Sequence, residues 1–181
     1  MQKEIVCTNC HAQLGEIQRS ITCPQCSTNA VEFQVFFTAD DKPAIHQANQ
    51  GVWRYSDFLP DFTQKISLGE GLTPIRKAHQ LFAEDIQLSF KLEGKNPTGS
   101  FLDRVSPVLV SDAIAKGMVS TICASDGNLG ASISAYCANA GLDSICVVPK
   151  STSPEKKVQM IAHGAKIIDY GDTIDDSLDL A

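Results

Sequence analysis

In the second half of the chain, short apolar runs alternate with longer segments whose apolar residues recur every three or four positions. Apolar runs bounded by Gly, Asn or Asp are typical of strands, and the three-to-four spacing is typical of helices. The pattern predicts strands at 88–92, 121–124, 145–148 and 166–169, and helices at 106–116, 128–140 and 154–163. Strands that alternate with helices indicate βαβ units, so the predicted fold class is α/β, a parallel sheet with flanking helices.

Local signals add detail at both ends of this region. Thr73 and Pro74 in "LGEGLTPI" are a good N-cap and first helical residue, so they predict that a helix begins there. A strand is predicted at 31–38, "VEFQVFFT". The last residues, "YGDTIDDSLDLA", predict a loop followed by the start of a helix. From this open end we expect that the domain continues, and that the isolated chain exposes apolar surface and self-associates.

Four of the seven cysteines lie in two pairs near the N-terminus: Cys7, Cys10, Cys23 and Cys26. The two-residue spacing within each pair lets a tight turn direct two thiolates at one metal ion, and a hairpin between the pairs would complete a tetrahedral site. Four sulfur ligands with no open position favour structural zinc, held in a zinc ribbon at 1–30. His11 is interpreted as a spectator or as a group that supports a ligand. The alternative is a set of free thiols in a disordered tail.

The composition changes this picture mainly by exclusion. The chain has 181 residues, of which 43% are hydrophobic and 20% charged, and its net charge is −6. This balance is that of a globular protein and argues against a broad surface for nucleic acid or anionic membranes. No apolar run is long enough to cross a bilayer, and the first residues lack the apolar core of a signal peptide, so we expect a cytoplasmic location. Cys123, Cys137 and Cys146 are expected to pack as small reduced hydrophobes.

The segment "ASDGNLGAS", residues 124–132, is a candidate binding turn because it follows a predicted strand and opens a predicted helix. Backbone amides at such a helix start favour an anion. Gly127 lets a ligand approach the backbone, and Ser125 and Asn128 offer side-chain hydrogen bonds. Taken alone, the motif is equally typical of a surface turn. A second loop, "NPTGSFLDR", precedes it by about one βαβ unit, so the two turns are predicted to face one crevice at the carboxyl ends of neighbouring strands.

In their order along the chain, these segments resemble the threonine synthase family, which belongs to fold type II of the pyridoxal-phosphate enzymes. The resemblance rests on the ribbon-like cysteine segment and on "WRYSDFLP", "LGEGLTP", "KLEGKNPTGSFLDR", "ASDGNLGASISAYCANAG" and "VVPKSTSPEKKVQMIAHGAKII". It implies a tryptophan-synthase-beta-like fold, incomplete here. It also implies a lyase that uses pyridoxal 5'-phosphate to convert O-phosphohomoserine to threonine. Cysteate synthase is a close relative.

The resemblance implies roles for individual residues. Asn128 would bond the ring hydroxyl of the cofactor, and Phe101 would lie beside the cofactor. The carboxylate of a small amino-acid substrate would be held by Ser125, Asp126, Gly127 and Asn128. At position 102 the family has a lysine that binds the cofactor covalently and moves protons, whereas this chain has Leu102. Leucine has no amine, so no catalytic residue is assigned; Lys91 and Lys95 match other parts of the motif.

The resemblance divides the chain into the zinc ribbon at 1–30, a connecting arm at 31–70 and a truncated pyridoxal-phosphate-type domain at 71–181. The phosphate-binding loop of the family would lie beyond residue 181. With Leu102 in place, the chain is expected to be inactive by itself, as an altered or shortened form of a working enzyme. The alternatives are a pseudoenzyme used for binding or assembly, a cysteate-synthase-like relative, and a zinc-ribbon adaptor for nucleic acid or protein. We expect no nucleic-acid or membrane partner, and a homo-oligomer stays open.

Overall fold

The computed structural model describes residues 2–14, 22–28, 31–78 and 87–181. The chain divides into two units, Met1–His46 with Tyr55–Asp61, and Gln47–Arg54 with Phe62–Ala181. A short 3₁₀ helix, Gly51–Phe58, is kinked at Tyr55, where the chain passes from one unit to the other. In the described ranges, no helix combines the length and the apolar character that crossing a bilayer requires.

The first unit contains an antiparallel sheet of β1 (Gln2–Cys7), β2 (Gln13–Leu14) and β3 (Val31–Phe36), in the order β2-β1-β3. Ile5 of the central strand lies opposite Leu14 on one side and Phe33 on the other. Cross-strand apolar pairs of this kind stabilise a small sheet. The strand predicted at 31–38 is confirmed, but it ends two residues earlier.

The second unit begins with a two-stranded antiparallel sheet that corrects two predictions. Strand β4 (Ile75–Lys77) pairs with β5 (Ser89–Lys91). The helix predicted to begin at Thr73 is therefore wrong, because Thr73 donates its hydroxyl hydrogen bond to Glu93 at 2.7 Å and the following residues pair as a strand. The strand predicted at 88–92 exists, but its partner is β4 and not a strand of the parallel sheet.

The rest of this unit follows the predicted alternation of helices and strands. Its elements are α1 (Ser106–Ala115), β6 (Ser120–Ala124), α2 (Asn128–Ala140), β7 (Asp143–Val148), α3 (Pro154–Ala162), β8 (Lys166–Asp169) and α4 (Ile174–Leu180). The strands pair in parallel in the order β6-β7-β8. The predicted α/β class with a parallel sheet is thus confirmed, and α4 matches the helix start predicted at the end of the chain.

Helix α2 lies against the sheet and contributes residues to both buried core clusters. Its residues 130–137 are all buried, and many of them are small, which lets the helix approach β7 closely. A Cβ at Gly130 would come within 2.9 Å of the sulfur of Met160 in α3, so only glycine fits between these helices without displacement. Tyr136 and Val110 pack with Ile66 in one buried cluster, and Cys146 packs with Met160 in another.

Candidate functional site

The four N-terminal cysteines lie together in the first unit. The sulfur atoms of Cys7, Cys10, Cys23 and Cys26 are all within 4.8 Å of one another. The Cys7–Cys26 and Cys10–Cys23 sulfur distances are 3.5 and 3.6 Å. Sulfurs placed tetrahedrally about 2.3 Å from a zinc ion are about 3.8 Å apart. The sulfur spacing therefore fits one tetrahedral metal ion. The hairpin predicted between the pairs falls partly on residues 15–21, which lie outside the described residues.

The two cysteine turns have the same hydrogen-bond pattern. The amide of Cys7 donates to Ala12 O, and His11 donates to Cys7 O. In the second turn, Cys23 donates to Thr28 O, and Ser27 donates to Cys23 O. His11 and Ser27 occupy equivalent positions, with positive φ angles of 58° and 55°. His11 is thus a turn residue that lies outside the group of four ligand atoms, in agreement with its interpretation as a spectator.

In the second unit, two of the sequence motifs form one hydrogen-bonded structure. Arg104 donates two bonds of 2.7 Å to the carboxylate of Glu93, and that carboxylate also accepts from Thr73 and Asn96. Asn96 in turn accepts from the amide of Gly71 at 2.9 Å. The motif "LGEGLTP" is thereby fixed to "KLEGKNPTGSFLDR". Arg104, followed by Thr73 and Asn96, lowers the pKa of Glu93 to about 2.

Leu102 lies in a 3₁₀ turn, Phe101–Arg104, that leads into α1. Its amide donates to the hydroxyl of Ser100 at 3.3 Å. Its carbonyl accepts from the amide of Val105 at 3.1 Å and from the hydroxyl of Ser106 at 3.3 Å. The backbone of residue 102 is therefore held on both sides, while its side chain supplies only hydrocarbon. Lys91, from β5, donates instead to the carbonyl of Thr73.

The predicted binding turn lies at the start of α2. Ser125 is buried, and its hydroxyl accepts from the amides of Gly127 at 3.2 Å and Gly130 at 2.9 Å. These bonds fold residues 125–130 into a loop in which the first-turn amide of Gly130 is bonded to Ser125 and that of Ala131 to the carbonyl of Gly127. Nothing lies within 4 Å of the position that a Cβ of Gly127 would take, so a ligand can reach the backbone there.

A cavity of about 380 Å³ opens beside this turn. Its lining residues come from the turn, from α2 and from α3: Asp126, Gly127, Asn128, Ala131, Glu155, Lys156 and Gln159. The ammonium of Lys156 lies 3.5 Å from the carboxylate of Asp126. A cavity of this volume is within the range of small-molecule sites. Three of the four predicted carboxylate-binding residues line it, and the fourth, Ser125, supports the turn from behind.

The cavity differs from the predicted crevice in its second wall. That wall is α3 and not the loop "NPTGSFLDR", which reaches the cavity indirectly: Gln159 donates to the carbonyl of Thr98 at 3.0 Å. Phe101 is 61% exposed and is not among the lining residues. Sequence reasoning missed Glu155, Lys156 and Gln159. Their spacing places them on one face of a helix that follows a predicted strand, and this was the available signal.

The residues of this site fit pyridoxal phosphate only in part. The open backbone at Gly127, the amide side chain of Asn128 and the volume of the cavity suit a small anionic ligand. Covalent attachment requires a primary amine, and Leu102, at the position where the resemblance implies a lysine, has none.

Comparison with known proteins agrees with this geometry. Residues 66–181 match the family described as "Pyridoxal-phosphate dependent enzyme". The chain is 34% identical over 179 residues to the threonine synthase of Methanosarcina acetivorans, covering 96% of this chain and 44% of that protein. It is 41% identical over 141 residues to the threonine synthase of Mycobacterium leprae, covering 75% of this chain and 39% of that protein. The chain thus spans less than half the length of these curated relatives.

Among solved structures, a similar fold occurs in a hydrogen sulfide-producing enzyme from Fusobacterium nucleatum. The TM-score is 0.57 at 27% sequence identity, and the match covers 61% of this chain and 38% of that one. The parallel sheet and its helices are thus a known arrangement.

Proposed function

The chain belongs to the pyridoxal-phosphate dependent enzyme family, and on this premise we propose that it is the N-terminal portion of a threonine-synthase-like protein that binds the cofactor without a covalent bond. The family reaction of that subgroup converts O-phosphohomoserine to threonine. The single observation that carries the binding proposal is the cavity of about 380 Å³ lined by Gly127 and Asn128. Leu102, which has no amine, excludes the covalent bond. As it stands, the chain makes no threonine.

When bound, pyridoxal phosphate supplies an electron sink for carbanions formed next to its ring. The residues of this chain would hold and orient the cofactor and the substrate. Asn128 would bond the ring hydroxyl, and amides at the start of α2 would receive a substrate carboxylate. Lys156 and Gln159 form the facing wall of the cavity. Leu102 can neither bond the cofactor covalently nor move a proton. The chain would therefore bind the cofactor without catalysing the reaction.

The second part of the proposal is a structural zinc ion held by the four cysteines. The sulfur spacing and the two equivalent turns support it. A site with four sulfur ligands has no open position for substrate, so its role is to stabilise the N-terminal unit. We propose 1–30 as its extent, with 31–70 as the connection to the cofactor domain.

Binding of pyridoxine 5'-phosphate tests the proposal for the cavity. This analogue has no aldehyde, so it cannot label exposed lysines. In calorimetric titration of the whole chain, we expect binding that N128A weakens about tenfold, the effect of losing about one hydrogen bond to a ligand. The matched control is N139A, because Asn139 lies on the exposed end of the same helix; it should bind like the unmodified chain. Absence of binding, or equal loss in both variants, would contradict the proposal.

A further inference from the structure

Beside Leu102 lies a buried carboxylate that neither the cavity nor the cysteine cluster uses. Asp103 has no solvent exposure. Its two oxygens accept hydrogen bonds from the amide of Thr98 at 2.7 Å, the hydroxyl of Thr98 at 2.6 Å and the hydroxyl of Ser132 at 2.6 Å. Buried charges are retained where several donors satisfy them. The position of this carboxylate is therefore tightly defined.

The partners of Asp103 are Thr98, in the loop before the 3₁₀ turn, and Ser132 in α2, one helical turn after Asn128. Ser132 donates its proton to Asp103, and its oxygen lies 2.7 Å from the hydroxyl of Ser106 in α1. Ser106 has one proton, so it can donate either to Ser132 or to the carbonyl of Leu102 at 3.3 Å. On the other side, the carbonyl of Thr98 accepts from Gln159 in α3. Asp103, next to Leu102 in the chain, thus links the Thr98 loop beside the cavity wall to α2.

We infer that Asp103 is a positioning residue: its carboxylate fixes residue 102 relative to the first turn of α2, where Asn128 lies. The inference rests on the proposed function, since residue 102 and Asn128 are the two positions that would meet the same cofactor. Residue 102 shares its 3₁₀ turn with Asp103, so a shift of the carboxylate rotates the neighbouring side chain. Because the resemblance implies a lysine at this position, the same bonds would fix the backbone from which its amine extends.

The chemistry of the three donors explains why a carboxylate is needed. An aspartate accepts at both oxygens, so one oxygen can hold the Thr98 amide while the other holds two hydroxyls. An asparagine accepts at one oxygen only, and its amino group would face a donor on the other side. D103N therefore keeps the volume and removes part of the hydrogen bonding. S132A removes the bond between Asp103 and α2, together with the Ser132–Ser106 contact, and leaves the bonds to Thr98 in place.

The leucine side chain at position 102 serves as a reporter for the test. In the whole chain labelled at leucine methyl groups, NMR resonances of Leu102 report its surroundings, and amide exchange of Thr98 reports its bond to Asp103. We expect D103N to speed the hydrogen exchange of the Thr98 amide about tenfold or more. The weakened bond from this amide to residue 103 no longer opposes local opening of the loop. We expect both D103N and S132A to shift and broaden the Leu102 methyl resonances. S132T retains the hydroxyl and should restore the resonances of the unmodified chain.

The matched control is S134A. Ser134 is also buried in α2, but its hydroxyl donates to Gly130 O at 2.6 Å within the helix and has no bond to Asp103. The S134A variant should lower the melting temperature without changing the Leu102 methyl resonances or the exchange rate of the Thr98 amide. If S132A and S134A affect these signals equally, or if S132T behaves like S132A, the inference is overturned and the carboxylate only supports the fold. S132A and S132T carry the test even if D103N fails to fold. No cofactor is added, so failure here and failure of the proposed function are separate results.

Discussion

The phenolic hydroxyl of Tyr136, in the middle of α2, donates a 2.8 Å hydrogen bond to the carboxylate of Glu70 in "LGEGLTP". Both side chains are almost fully buried. Glu70 also accepts from the amides of Val52 and Leu68 and from the hydroxyl of Ser67. Burial, together with the charge of Glu70, raises the pKa of Tyr136 above its ordinary value. This bond joins the helix of the binding turn to a loop far from it in sequence.

The Tyr136–Glu70 bond predicts the effect of Y136F. Removing a hydrogen bond to a charged group costs about 1.5–3 kcal/mol of unfolding free energy, and phenylalanine keeps the ring packing. Urea unfolding of the variant should show a lower midpoint with an unchanged slope. Tyr170 is 45% exposed, so Y170F is the control and should change stability by less than about 0.5 kcal/mol. Equal stability of the two variants would contradict the structural role given to the bond.

Gly51 predicts a second stability effect. Its φ is +58°, and a Cβ there would overlap the carboxylate of Glu70 and the hydroxyl of Ser67. G51A should therefore lower the unfolding free energy by about 3 kcal/mol or more, since steric overlap adds to the backbone strain. Gly69 has φ +83° with nothing within 4 Å of its Cβ position, so G69A should show the strain alone, about 1–2 kcal/mol. Urea unfolding of the two variants measures both losses. If G51A lost no more unfolding free energy than G69A, the predicted steric overlap at Gly51 would be refuted.

The ion pair of Glu93 with Arg104 predicts a pH dependence. The folded pKa of Glu93, about 2, lies below the ordinary value of 4.5. A carboxylate with a depressed folded pKa contributes stability above its unfolded pKa, and this contribution is lost as the pH falls from about 4.5 toward 2. The unfolding free energy of the unmodified chain should therefore fall in that window more steeply than that of E93Q. Parallel curves for the two proteins would mean that Glu93 does not carry this dependence.

The cysteine cluster predicts about one zinc ion per chain, bound without added metal. Elemental analysis of the purified chain should find it, and C23S should lose it because the tetrahedral set is broken. H11A should keep the metal, since His11 lies outside the four ligand atoms. Protein free of both zinc and iron, or a C23S variant that retains its metal, would rule out the proposed site.

The elements that sequence predicts best are those whose signals are local. Helix α2 was predicted with the bounds observed, because its small residues lie between Gly127 and Gly141, and Gly141 adopts the left-handed conformation that ends a helix. Strand β8 also has its predicted bounds. The doubled cysteine spacing likewise predicts a cluster from local turns alone, and the structure brings the four sulfurs together.

The predictions that were wrong depend on contacts between residues that are distant in sequence. Thr73 and Pro74 carry a helix-start signal, but the pairing of Ile75 with Lys91 makes the segment a strand. For the same reason, the pattern at 88–92 could not reveal that β5 pairs with β4 instead of joining the parallel sheet. The wall formed by α3 was missed because the placement of a helix beside a turn depends on the whole sheet. A local pattern specifies an element but not its neighbours.

The most direct test of the central claim, that this chain keeps the family's frame without its covalent cofactor site, is a peptide map after reaction with pyridoxal phosphate and borohydride. Borohydride fixes any bond between the aldehyde and a lysine amine. We expect only weak, scattered labelling of exposed lysines and no stoichiometric adduct between residues 89 and 104. One adduct per chain on Lys91 or Lys95 would contradict it, because another amine would then serve in place of residue 102.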